Sequence, residues 1–149
     1  MRSIQNWFSV TFPALSQNES FARVVVASFA AQLDPTLDEI TDVKTAVSEA
    51  VTNAIIHGYG EKGGEITISC TLEDSVLEVA VTDKGAGIAD LNQAMEALYT
   101  SRPDLERSGM GFTVMENFMD TLRVDSVPGK GTVVIMTKKF TGKRQEVND

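Results

Sequence analysis

The stretch that decides the fold is residues 49–60, EAVTNAIIHGYG. It closes a longer segment, DPTLDEITDVKTAVSEAVTNAIIHGYG, in which Ile40, Val43, Val47, Ala50 and Ala54 recur at the spacing of one helix face. Pro35 near the start and glycines at the end are the expected punctuation of a helix. On a helix turning about 100° per residue, Glu49 and Asn53 lie about 40° apart, at the border of the apolar stripe. Taken alone, such a pair reads most simply as a solvated helix edge. The alternative, that both point into one site, depends on the rest of the chain.

Working outward, WFSVTFPA has strand composition and ends at a proline, and SQNESFARVVVASFAAQL starts with polar cap residues and continues as a helix. After residue 60, GGEITISCTLEDSVLEVAVTD holds two alternating β-branched runs broken at LEDS, a hairpin. KGAGIAD reads as a loop and LNQAMEALY as a short helix. TSRPDLERSGMG reads as loop around Pro103 and its glycines, with FTVMENFMDTL helical after it. LRVDSVPGKGTVVIMTKKF is a second hairpin. Strands adjacent in sequence with few intervening helices predict an α+β fold: a two-layer sandwich of a mixed, mostly antiparallel sheet with helices on one face.

Composition narrows the class. The chain has 149 residues, 42% hydrophobic and 23% charged, with four prolines, as an ordinary globular protein does. One domain over 1–149 is expected, with a polar tail over 140–149. Thirteen Lys plus Arg against 21 Asp plus Glu leave a net charge of −8, which argues against nucleic acid as the main partner. An acidic chain that binds a polyphosphate must rely on Mg²⁺, backbone N–H groups or helix N-termini. The sequence has no apolar run of bilayer length, and MRSIQNWFSVTF lacks a signal-peptide pattern, so no membrane association and a cytoplasmic location are expected. Cys70, the single cysteine, sits in the strand-like ITISCTL and is expected to pack.

Two further segments bear on the Glu49 and Asn53 pair. TDKGAGI follows a predicted strand and sets Asp83 just before Gly85 and Gly87. Such glycines allow close backbone approach to a flat ligand, and a carboxylate at a strand end can accept from an exocyclic amine such as that of adenine. A plain tight turn explains the same residues about as well. ERSGMGF places Ser108, Gly109 and Gly111 at the expected start of a helix, where free N–H groups and the dipole favour an anion. A capped helix start is the bland reading. Together the three complement one another: Asn53 offers a carbonyl to Mg²⁺, Asp83 reads a base, the Gly109 region holds phosphates, and Glu49 stands one turn from the metal.

In this order the segments match the N-box, G1-box and G2-box, EAVTNAIIHGYG, DKGAGI and SGMGF, of the GHKL family of ATP-binding proteins. The chain resembles that family, and within it the serine kinases that act as anti-sigma factors. The likeness runs from about Leu15 to about Phe140 and includes SQNESFARV, AQLDPTLDE and the GT of the last strand. Lys84 stands where the family more usually has an acidic residue.

The resemblance implies a Bergerat ATP-binding fold, ATP or ADP with Mg²⁺, and γ-phosphoryl transfer to a serine of an anti-anti-sigma factor with a STAS domain. It also implies sequestration of a sporulation sigma factor of the sigma F type, and a homodimer. Glu49 would be the general base, and Asn53 the metal ligand. Asp83, Gly85, Gly87, Ile88, Ser108, Gly109, Met110, Gly111 and Thr132 would bind nucleotide. Arg107 would be a cation for the γ-phosphate, Thr52 would face the acceptor or the phosphates, and Arg23 would contact both protein partners. An ATP-gated sequestering module with little or no kinase activity is the alternative.

Three other features are read as structure. PGKGT lies between two strands, unlike a phosphate loop, and is a hairpin turn. His57 is a helix-end residue facing the dipole. Phe112, Met115, Phe118, Met119 and Leu122 recur at helical spacing as packing residues.

Overall fold

Alternation in EITISCTLE and VLEVAVTD is what makes a half-buried sheet: every second side chain turns to the core. In the computed structural model these segments are β2 (Glu65–Glu73) and β3 (Val76–Asp83), joined by a tight turn in which Asp74 adopts φ 56°. The structure describes residues 5–60, 62–88 and 103–142, the stretch 103–110 by its backbone alone. The edge strand β1 (Gln5–Pro13) pairs with β2, and the hairpin of β4 (Thr121–Val127) and β5 (Gly131–Lys139) completes a five-stranded sheet of order β1-β2-β3-β5-β4. All four described pairings are antiparallel. The α+β class is as expected, at the antiparallel extreme of the mostly antiparallel sheet.

The register sets Cys70 opposite Val79, Val81 opposite Val134 and Asp83 opposite Thr132. Ile66, Ile68, Cys70, Leu72, Leu77, Val79 and Val81 therefore face one way and are buried. Against them lie α1 (Gln17–Ala30), through Ala22, Val26 and Ala30, and α2 (Leu37–Asn53), through Val43, Ala46, Val47 and Ala50. Burial pushes the Cys70 thiol up to about 12, so it packs without reacting. The opposite face is rich in Ser and Thr, with cross-strand bonds between Ser9 and Ser69 and between Thr11 and Thr67.

Helix α2 starts at a capping box: the Glu39 N–H donates to Thr36 Oγ1 at 3.1 Å and the Thr36 N–H to Glu39 Oε1 at 2.9 Å. It ends in a π turn, Ala54–Gly58, a widened coil that recurs at functional sites.

Two expectations are corrected. The loop expected over TSRPDLERSGMG is helical from Pro103 onward, as α3 (Pro103–Phe118). Proline at the first helical position and acids in the first turn favour a helix start there, and the following glycines do not break it. Ser108, Gly109 and Gly111 thus lie inside the helix, not at its N-terminus. Within the tail expected over 140–149, Phe140 is buried and Thr141 is tied to Glu39, and residues 143–149 lie outside the described residues. On α3, Phe112 and Met115 are buried while Phe118 is exposed, Met119 follows the helix end as a core residue, and Leu122 belongs to β4. The helix expected over LNQAMEALY lies outside the described residues.

Candidate functional site

The C-terminal end of α2 with its π turn, the exit of β3, α3 at Phe112 and β5 at Thr132 and Val134 meet around one cleft. It is lined by, among others, Asn53, His57, Asp83, Gly87, Ile88, Phe112 and Thr132. Five residues singled out from sequence therefore share one cleft: Asn53, Asp83, Gly87, Ile88 and Thr132.

Asp83 sits at the end of β3 and is 6% exposed. Burial pushes its carboxyl up, and hydrogen bonds from the backbone of Gly85 and Thr132 counter only part of that. The Gly85 N–H reaches Oδ1 at 2.9 Å. A buried carboxylate held by backbone donors is an acceptor awaiting a further donor. The turn beyond it is pressed on the end of α2: Ala86 N–H donates to the Gly58 carbonyl at 2.7 Å, and a Cβ on Gly85 would fall 1.9 Å from that oxygen. Only glycine fits there. Gly87, at φ 74°, lies against the Val127 carbonyl, and Gly129 N–H donates to Ala86 O. The hairpin PGKGT is thus a turn, as read, and it buttresses the loop before it.

Asn53 lines the cleft, and Glu49 stands near it, just outside that lining. A Cβ placed on Gly111 would lie 3.0 Å from Asn53 Nδ2, 3.1 Å from its Oδ1 and 3.3 Å from Glu49 Oε2. Helix α3 therefore crosses α2 where both side chains are, and the glycine leaves room for them. Asn53 Nδ2 is buried with no hydrogen-bond partner among the described residues. An amide left this way is free to turn its carbonyl to a ligand. Mg²⁺ takes few protein ligands when phosphates and waters complete its octahedron, so a single Asn carbonyl fits. Among the described residues no cluster of three acidic, His or Cys side chains offers a metal a fuller set.

Glu49 itself lines a second groove, between α1 and α2, with Arg23, Lys44 and Ser48. Arg23 stands 3.7 Å from Glu19 and does not line the cleft that holds Asn53 and Asp83. Thr52, expected at acceptor or phosphate, instead donates to Glu19 Oε2 at 3.0 Å, and Ser48 donates to Glu19 Oε1 at 2.8 Å. The Arg107, Ser108 and Met110 side chains lie outside what is described.

Sequence reasoning missed Ser126. Its hydroxyl accepts from Ile88 N–H at 2.7 Å and bonds Thr132 Oγ1 at 2.8 Å, joining two site residues. No motif marks it, because its place follows from the β4–β5 register, which sets it opposite Thr132. His57 was read as a helix-end residue; it lies in the π turn that ends α2, and it also lines the cleft.

Residues 12–138 match the histidine kinase-like ATPase domain family. The chain is 65% identical over 137 residues to the anti-sigma F factor of Clostridium acetobutylicum, covering 92% of this chain and 96% of that protein. It is 57% identical over 146 residues to the anti-sigma F factor of Bacillus subtilis strain 168, covering 97% and 100%. In fold it is similar to the RsbU and RsbW domains of a Mycobacterium tuberculosis protein, with a TM-score of 0.66 at 21% identity over 91% of this chain and 32% of that one. It is also similar to the catalytic domain of the histidine kinase ThkA, with a TM-score of 0.54 at 17% identity over 89% and 96%. The chain belongs to the histidine kinase-like ATPase family, whose domain implies nucleotide binding, and within that family to the anti-sigma F factors.

Proposed function

We propose that the protein is a serine kinase and a sigma-factor inhibitor: it binds ATP with Mg²⁺, transfers the γ-phosphoryl group to a serine of an anti-anti-sigma factor, and sequesters a sigma factor of the sigma F type. The observation that carries the chemistry is that Asn53 shares a cleft with the buried Asp83 while Glu49 stands near Asn53, at Gly111.

Asp83 accepts a hydrogen bond from the exocyclic amine of the base, which supplies the donor its burial calls for. Gly85, Gly87, Ile88 and Thr132 shape that end. Asn53 holds the metal, whose contribution when bound is to neutralise phosphate charge. Glu49, beside it, takes the proton of the incoming serine hydroxyl. The serine oxygen then bonds to the γ-phosphorus as the bond from that phosphorus to the ADP oxygen breaks. Arg107, Ser108, Gly109, Met110 and Gly111 serve the phosphates, which for the residues inside α3 requires that helix to shift or unwind at its N-terminal half. Arg23, across the groove from Glu49, meets the protein partners. Family membership supports a homodimer, which light scattering of the purified protein tests.

Incubation of the protein with radiolabelled ATP, magnesium and a STAS-domain acceptor is the direct test. Acid-stable label on the acceptor, absent with Glu49→Gln, is the expected result. No label while ATP still binds would sink the kinase reading and leave an ATP-gated sequestering module.

A further inference from the structure

Between the residues that bind and those that pack stands Tyr59, which no motif assigns. It follows the π turn of α2, and its ring lies against Gly64, where an added Cβ would come within 2.3 Å of Cε1. Its hydroxyl donates to the Glu65 carbonyl and accepts from the Lys84 N–H at 2.7 Å. One phenol thereby links the start of β2 to the residue directly after Asp83. The β3 strand ends at Asp83; beyond it the first residues of the turn are held from the end of α2, at Gly58 O through Ala86 N–H and at Tyr59 through Lys84 N–H, and its later ones from the β4–β5 hairpin.

We infer that Tyr59 is a positioning residue for base recognition: its hydroxyl holds the Asp83–Gly85 turn where the carboxylate can select a purine 6-amino group over a 6-oxo group. This rests on the reading of Asp83 as the base-binding residue. A carboxylate facing a 6-amino group pairs acceptor with donor, whereas a 6-oxo group sets acceptor against acceptor. The selection is as sharp as the carboxylate is fixed, since a turn free to shift lets water or a tilted base relieve the clash. Both hydroxyl bonds of Tyr59 lie in exposed surroundings. Water can replace them when the hydroxyl is removed, so the loss falls on position more than on stability.

The test uses the full chain and measures the affinity of ATP and of ITP, which carries the 6-oxo group, beside thermal unfolding without nucleotide. Tyr59→Phe keeps the ring on Gly64 and removes the hydroxyl alone. The expected result is ATP affinity lowered about tenfold, with the ATP-to-ITP preference shrinking by a similar factor, about one misplaced hydrogen bond in size. Lys84→Pro removes the opposite end of the same bond; the extended Asp83 before it tolerates a proline. It should reproduce the shift and serves if the first variant fails to fold. An unchanged preference, or equal weakening of both nucleotides, would overturn the inference while leaving the role of Asp83 intact. A wild-type protein that binds ATP and ITP alike would overturn the role of Asp83 and this inference with it.

Discussion

The two ends of α2 are built on opposite principles. At its N-terminus one carboxylate is fully engaged: Glu39 closes the capping box with Thr36 and also accepts from Thr141 N–H, Thr141 Oγ1 and Gly142 N–H. Partial burial works to raise the Glu39 carboxyl, but these donors outweigh it and hold the group below its ordinary value. At the C-terminus the helix widens into a π turn, the Asn53 amide nitrogen is buried without a partner among the described residues, and the nearby Asp83 is pushed up by burial. One end anchors the chain. The other leaves the Asn53 amide unsatisfied among the described residues, at a cost in stability that a ligand can relieve.

That contrast breaks if variants at the C-terminal end change stability as much as function. Glu49→Gln carries the largest effect: phosphotransfer should fall by about 10²–10⁴, the usual contribution of a general base, with ATP affinity and melting temperature retained. Rates under saturating ATP and calorimetry on the same sample decide it. Asp83→Asn comes next. It should weaken ATP by about 10- to 100-fold, the range for a hydrogen bond to a charged group, while unfolding in urea stays within about 1 kcal/mol of wild type. A large loss of stability would mean that Asp83 is a structural acceptor.

At the anchoring end the expectation reverses. Glu39→Ala should cost about 0.5–2 kcal/mol of stability, the range for a lost helix cap, with nucleotide affinity unchanged in the folded protein. The smallest effects are in pH dependence, where the two carboxylates differ in sign. Because the Glu39 value is lowered on folding, its stabilisation is present above the ordinary glutamate pKa of about 4.3 and is lost as pH falls through the lower folded value. Because the Asp83 value is raised, its contribution is most favourable below about 3.9 and declines as pH rises through the folded value. Glu39→Gln should flatten the acid limb of the stability curve, and Asp83→Asn should remove the decline above it. Denaturant titrations across pH 3–7, a range set by those reference values, separate the two.

Much of this was legible in the sequence because it depends on neighbours along the chain. The stripe from Ile40 to Ala54 specifies α2, and Asp83, Gly85 and Gly87 mark a turn at a strand exit. The error at Pro103–Gly111 is instructive. Proline and glycine were read as breakers, yet proline suits a first helical turn, and an interior glycine costs only about 1 kcal/mol, which contact between α3 and α2 can offset. The glycine at 111 is required by what it touches, the Asn53 and Glu49 side chains, more than by its own backbone.

Periodicity, caps and turn chemistry by themselves determined the α+β class, helix α2, both hairpins and the alignment of Glu49 with Asn53, since each is a relation between residues a few positions apart. Only the tertiary structure decided that Thr132 faces Asp83 across a strand pair, that Ser126 and Tyr59 brace the loop between them, that Thr52 turns to Glu19, and that α3 lies over Asn53. Those relations join residues about 20 to 60 positions apart. They depend on sheet register and helix packing, which are properties of the whole folded chain and leave no local spacing to read.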